Sequence, residues 1–367
     1  MKRQGMEVVS YKDICKVRDF KDFKMGILPE NTLYIVKKAE KTQVIPPSNP
    51  FPGKNLPNEC ITEDFYLACL KDAICLENQT ILHNNRIMPD SFRHYEYNAP
   101  TQNLQFNERL NQFTLKVNPL KPIYLKGDYI YLSGEISSGF GHFLLEVVSR
   151  LWITNFVNIS KFKFIMNPED KESWQLEILK AIGINKNQIV YLHKPFRCER
   201  LYIPVQSFAL RKYTSTFALQ TWKRIGDFYD RGSGFEKIYI SRSKLRNNRR
   251  NLINEKAVER IFSQNGFRII HPQELKITEQ INLFRNAKVI AGPSGSAMYN
   301  SVFRKKQARV IVLASQKFFK MSDILINSSV GGKLDYFIGE TVDKLTPGIK
   351  ADWKININQL KQFIRNI

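Results

Sequence analysis

The sequence predicts an α/β protein of two Rossmann-like domains behind an irregular, β-containing N-terminal region. Three observations predict it. From residue 128 onward, strand-length apolar runs alternate with amphipathic helical stretches, the pattern of parallel βαβ units. A glycine-rich joint, Gly232-Ser233-Gly234, interrupts that alternation once. And 367 residues are enough for two domains, each with its own core.

Residues 1–127 carry only short β-like pieces, such as TLYIVKK and FTLKV, on either side of the proline-rich IPPSNPFPGKNLPNE, which reads as loop. DYIYLSG then leads into GHFLLEVVSRLWITNF, where Phe143, Leu144, Val147, Val148, Leu151 and Trp152 recur at helical spacing. KFKFIMN follows as a strand, SWQLEILKAIGI as a helix ending near Gly183, and QIVYL and RLYIPV as strands. A helix within RKYTSTFALQTWKRIGDFYD precedes the joint. Beyond it KIYISR reads as a strand, NEKAVERIFSQNG as a helix ended by Gly266, FRIIHP as a strand and TEQINLFRNA as a helix. KVIAG and ARVIVLAS complete a second parallel sheet, and WKININQLKQFIRNI is amphipathic. The expected domains are therefore 1–234 (irregular and β-rich over 1–127, Rossmann-like over 128–234), 235–350, and a terminal helix over 351–367.

Lys and Arg number 56 against 34 Asp and Glu, a formal net charge of +22. Such a chain suits an anionic partner: nucleic acid, anionic lipid or a phosphorylated substrate. The bland alternative is a basic surface that only aids solubility, since no long basic run reads as a nucleic-acid tail. The five cysteines have no C-x-x-C spacing, so neither a zinc site nor a disulfide framework is suggested, and a reducing cytoplasm is expected. No stretch approaches 18 apolar residues and the N-terminus lacks the apolar core of a secretory signal. The sequons at Asn78, Asn158 and Asn327 read as chance matches.

Three segments could carry chemistry. In AKVIAGPSGSAMYNSVF (287–303) a buried strand gives way to Gly292-Pro293-Ser294-Gly295-Ser296-Ala297, and a helix begins near Ser296. Small residues admit a ligand to the backbone, and N–H groups at a helix start attract an anion. A nucleophilic Ser294 would need glycine at position 296, the P-loop lysine is missing, and no G-x-G-x-x-G occurs; a turn that merely needs small residues stays open. In KIYISRSKLRNNRRNLINE (237–255), Arg242, Arg246, Arg249 and Arg250 follow a strand end. Guanidinium forks match phosphate oxygens, the alternative being a solvated basic loop. In SSGFGHFLLEVVSR (137–150), His142 near a helix start has Glu146 four residues on, a base oriented by a carboxylate or a structural pair. No H-E-x-x-H, cysteine cluster or D-x-D accompanies it, so neither a metal nor another cofactor is expected.

In this order the three segments resemble glycosyltransferase family 61. The family's last motif reads as strand, then G-x-H-G-A-x-L-T-N and Phe; here Gly292, Gly295, Ala297, Asn300 and Phe303 match. Ser294 stands where the family has His, and Glu279-Gln280 match its Glu-Gln on the preceding helix. The resemblance covers about residues 137–303 and implies a GT-B fold of two facing Rossmann-like domains, the C-terminal one holding the nucleotide-sugar. It implies inverting, metal-independent transfer from a UDP-sugar to a glycan acceptor, lipid-linked acceptors included, in capsular or other surface polysaccharide synthesis. Carried onto this sequence, His142 with Glu146 becomes the catalytic base. Arg242, Arg250, Ser294, Gly295, Ser296 and Asn300 become donor contacts, and Glu274 and Glu279 are candidates for the ribose, with helix capping as their alternative. The implied location is cytoplasmic, with peripheral contact at the anionic inner face of the plasma membrane. The rival readings are an inactive nucleotide-sugar binder and a polyanion or nucleic-acid binder, although no RNP aromatics, KH loop or zinc finger supports the last.

Overall fold

FYLACLKDAICL is a near-continuous apolar run, the pattern of a strand covered on both faces. It forms a twelve-residue strand, Phe65–Leu76, in the middle of a nine-stranded sheet. The computed structural model describes residues 5–26, 31–77, 79–91, 100–116, 121–134, 136, 138–168, 173–245, 249–343, 345–365 and 367. Asn78 and Arg246 lie outside the described residues. The chain divides into two units, Met1–Glu40 with Thr62–Phe208, and Lys41–Ile61 with Ala209–Ile367.

In unit one the sheet runs Lys16–Asp19, Thr32–Lys37, Phe65–Leu76, Phe196–Pro204, Ile123–Tyr131, Lys163–Met166, Ile189–Tyr191, with Thr80–His83 and Arg86–Ile87 paired off this path. Phe65–Leu76 is antiparallel to both its neighbours, while the strands from Phe196–Pro204 to Ile189–Tyr191 are parallel. The sheet is therefore mixed, and the N-terminal region expected to be irregular supplies one side of it. A period-2 search passes over this run because both faces of the strand are covered. Over it lies a helical stretch that is not plain α-helix: Phe140–His142, a π turn at Phe143–Val147, then 3-10 geometry over Val148–Asn155. Its apolar face is fully buried. Trp152 Nε1 donates to Val205 O (2.7 Å) and Arg150 Nη1 to Pro204 O (2.6 Å), and Arg150 also pairs with Asp90 (2.7 Å).

Unit two, with its elements numbered by themselves, has helix α1 (Thr216–Phe228), β1 (Lys237–Ile240), α2 (Glu255–Gln264), β2 (Arg268–Ile270), α3 (Ile277–Asn286), β3 (Val289–Pro293), β4 (Arg309–Ser315), α4 (Met321–Val330), β5 (Lys333–Thr341), β6 (Trp353–Lys354) and α5 (Ile357–Arg365). The sheet order is β2-β1-β3-β4-β5-β6, parallel except for β6. The division falls after Phe208, and the expected joint at 232–234 lies inside unit two. The reason is that α1 packs on α3 and α4, and the joint is itself tied to α3: Asn282 accepts from Arg231 N (2.8 Å) and donates to Ser233 O (2.9 Å). Residues 317–350, left unassigned by periodicity after ARVIVLAS, supply α4 and β5.

The proline-rich stretch belongs to unit two. Strands Lys41–Gln43 and Glu59–Ile61 pair, and between them Ile45 N donates to Ser328 Oγ (2.9 Å) on α4. Ser48 N donates to Leu334 O (2.8 Å) and Tyr336 N to Asn49 O (2.9 Å), so this segment covers the edge of β5 that β4 leaves open. Phe51 stacks edge-on against Phe319 and Tyr336. All five cysteines are buried and in no disulfide. Among the described residues no helix is long and apolar enough to cross a membrane.

Candidate functional site

In a 2-1-3-4-5 sheet the strand order reverses between β1 and β3, and ligands bind beyond the carboxyl ends of those two strands. Arg242 follows β1, and Ser294-Gly295 follow β3. The end of β1 is fastened by carboxylates of α2. Ser241 and Ser243 hydroxyls donate to Glu259 Oε1 (2.5 and 2.6 Å), and Arg242 N donates to Glu255 Oε1 (2.8 Å). Tyr239 OH also donates to Glu255 (3.3 Å), whose carboxyl burial pushes above the usual range. Asn254 clamps Ile355 through both ends of its amide. The Asn-Glu pair thus anchors the Arg242 backbone and the sheet edge.

The two glycines of the turn have different reasons. A Cβ on Gly292 would lie 2.8 Å from Ile240 O and 2.9 Å from Met298 Sδ, so glycine there lets β3 pack closely on its neighbours. A Cβ on Gly295 would collide with Arg242 Nη1, so glycine there lets the guanidinium lie against the turn. Ser294 N is spent on Leu313 O (2.7 Å), while its buried Oγ has no hydrogen-bond partner among the described residues. The helix that follows, Ser296–Phe303, is 3-10; its first internal bond runs from Met298 N to Gly295 O (3.1 Å), so the N–H groups of exposed Ser296 and of Ala297 precede the ladder.

Around Gly295 positive charge accumulates. Arg242 is held below its usual range by burial, with Glu255 opposing. Arg250 adopts left-handed backbone (φ +63°), uncommon for a non-glycine residue, and lays its guanidinium on the Phe318 ring at 3.9 Å. Its Nε and Nη1 are buried without a hydrogen-bond partner among the described residues, and burial together with the charge of Arg242 lowers it to about 10. Lys320, at the start of α4, places its ammonium 4.9 Å from the Tyr299 ring and 5.2 Å from the Phe318 ring. Burial lowers Lys320 to about 8; Asp323 opposes that shift, while Arg250, Arg242 and Arg211 add to it. Burial in turn raises Asp323 to about 6, with Lys320 opposing. Arg242 depresses Arg250, and both depress Lys320; an oxyanion placed among them would relieve that repulsion.

The other expected residues are placed differently. Asn300 is fully buried, and its Nδ2 donates to Gln280 Oε1 and Ala297 O (3.2 Å each), tying the turn to α3. Gln280 passes the link on to Pro272 O (2.8 Å) and Leu275 O (3.2 Å). Glu279 caps α3, accepting from Lys276 N (2.9 Å). Glu274 is exposed and paired with Lys244 (2.9 Å), whose hydrogen bond holds its carboxyl below the usual range. Arg249 is exposed and accepts from Arg242 Nη2 through its carbonyl (3.4 Å). Sequence reasoning missed Lys320, Phe318, Tyr299, Arg211 and the anchoring role of Glu255. The Phe-Phe-Lys of QKFFKMSD, directly after a strand, is the one local signal that could have drawn attention to Phe318 and Lys320.

In unit one, His142 Nδ1 meets Glu146 Oε2 at 2.7 Å; the carboxylate side chain is 1% exposed and the imidazole 34%. Glu146 lies within the π turn, a geometry that recurs at functional sites. The carbonyl of Glu146 accepts from Ser149 Oγ (2.8 Å) and Gln206 Nε2 (3.3 Å), which fixes the turn. A half-buried imidazole oriented by a buried carboxylate can take up a proton. Among the described residues no group of three or more His, Cys, Asp or Glu side chains is placed to hold a metal ion.

No curated protein matches the chain. Residues 140–311, a little under half of it, match the family model described as Glycosyltransferase 61, a span that contains His142, Glu146, Arg242, Arg250 and the Gly295 turn. Over those residues the chain is similar to that family, and the activity the similarity supports is glycosyl transfer from a donor sugar to a glycan acceptor.

Proposed function

We propose that this protein is an inverting glycosyltransferase of the GT-B class that uses a nucleotide-sugar, a UDP-sugar in the reading favoured here, in making a capsular or other surface polysaccharide. The observation that carries the donor half of the reading is the convergence of Arg242, Arg250 and Lys320 beyond the carboxyl ends of β1 and β3. Three cations at the switch point of a doubly wound sheet suit a diphosphate.

In this reading Arg242, lying on Gly295, and Arg250, stacked on Phe318, grip the diphosphate together with the N–H groups that open the Ser296 helix. His142, oriented by Glu146, removes the acceptor proton. The acceptor oxygen then bonds to the anomeric carbon while the bond from that carbon to the phosphate oxygen breaks. Its electron pair leaves with the nucleoside diphosphate, and the proton rests on the imidazole. Attack opposite the leaving group inverts the anomeric centre. Side-chain charge takes the place that a divalent cation fills in metal-dependent transferases.

The test is calorimetric titration and thermal shift with UDP, GDP and CMP, with and without EDTA. Stabilisation by UDP that survives EDTA is the expected result. Failure of all three nucleotides to bind would overturn the donor reading.

A further inference from the structure

Lys320 is the feature of this site that nucleotide recognition alone does not explain. It has no carboxylate within ion-pair distance among the described residues; Asp323 is the charge that acts on it most and opposes the loss of its proton, while Arg250, Arg242 and Arg211 favour that loss. Asp323 offsets part of this charge from a distance, and burial together with Lys320 sets its own carboxyl at about 6. The ammonium is instead flanked by the Tyr299 and Phe318 rings. Holding a largely desolvated cation against other cations costs stability unless an anion arrives to meet it.

The charge of the ligand changes during the proposed reaction. An intact sugar nucleotide carries about two negative charges on its diphosphate. Once the bond to the sugar breaks, the electron pair stays on the terminal phosphate oxygen, whose second pKa is about 6, so the free nucleoside diphosphate carries about three above pH 7. Arg242 and Arg250 match the first count; a third cation is matched only when the bond has broken. We propose that the Lys320 ammonium receives the charge born on the leaving phosphate, and that the site therefore prefers the free nucleoside diphosphate to the intact donor. This rests on the reading of unit two as the donor site. A contact that strengthens as the bond breaks lowers the barrier, whereas one equally strong throughout does not.

The preference has a pH signature. Lys320 is charged below about 8 and loses its proton above it. Of the groups facing it, Asp323 titrates near 6 and Arg250 near 10, on either side of the interval from pH 7 to pH 9. Arg242 keeps its charge as guanidinium, and Tyr299 and Tyr336 are both raised by burial. Lys320 is thus the group of this cluster that changes charge in that interval.

The experiment is calorimetric titration of UDP and UDP-glucose into the full chain at pH 7 and pH 9, for wild type, Lys320→Met and Lys320→Arg. The methionine keeps the alkyl packing between the rings, and the arginine keeps a charge that does not titrate. At pH 7 wild type is expected to favour UDP by about tenfold, and Lys320→Met to lose about tenfold for UDP and under about threefold for UDP-glucose. Raising the pH to 9 should erase the preference in wild type and leave it in Lys320→Arg. If wild type binds neither ligand, the UDP form of the donor reading fails and this inference with it. If both bind and Lys320→Met weakens them equally or not at all, or the wild-type preference ignores pH, Lys320 does not take the leaving charge and the donor reading stands. Melting temperatures of the two variants within a few degrees of wild type assign any loss to charge rather than to unfolding.

Discussion

The His142–Glu146 pair of unit one and the cation cluster of unit two are made in opposite ways. The first comes from one helical turn: two residues four apart, with the carboxylate buried by the same face that packs on the sheet. The second is gathered from the end of β1, the loop before α2, the turn after β3 and the approach to α4. A pair made locally survives as long as its helix does. A cluster made from four loops depends on each glycine and buried carboxylate that lets those loops meet.

That contrast can be broken most directly at His142. His142→Ala is expected to lower turnover by about 10³ while leaving UDP affinity unchanged, as befits a base that does not touch the donor. Loss of UDP binding in that variant would instead make His142 a donor ligand. Arg242→Ala should lower turnover by about 10²–10³ and weaken UDP binding as well, with the melting temperature close to wild type. Unchanged kinetics would remove Arg242 from the mechanism.

The two glycines separate site from scaffold. Gly295→Ala pushes the Arg242 guanidinium off the turn, so UDP binding should weaken by about tenfold with little change in stability. Gly292→Ala meets backbone at Ile240, which cannot yield as a side chain tip can, and should cost about 1–3 kcal/mol by thermal or denaturant unfolding. Reversed outcomes for this pair would mean that the turn is scaffold and nothing more. The smallest effect is expected at Glu279. Glu279→Ala should cost about 1 kcal/mol of stability through the lost α3 cap and leave UDP affinity intact. A large affinity loss there would restore the ribose role.

What could be read in the sequence follows the same division. The helix of His142 and the strands and helices from residue 237 to the end of ARVIVLAS were legible because each announces itself by period and cap. The i,i+4 pair was legible for the same reason. Phe65–Leu76 was not, since a strand covered on both faces has no alternation to detect. Lys320 was not, because its meaning comes from Arg250 and Tyr299, distant in sequence and brought close only by the sheet order. Asn300, read as a ligand contact from its place in a motif, turns its amide inward to Gln280. A motif records that a residue matters locally without saying which way it points.

The segment 41–61 sets a timetable for the growing chain. Asn49 meets Tyr336 across a separation of 287 residues, so a piece synthesised far ahead of β5 completes that strand's edge. At about 5–20 residues per second that strand appears roughly 15–60 s after its cover, and unit two cannot close until then. A fragment that starts after the cover would present β5 with an open flank, ready to pair with another nascent copy.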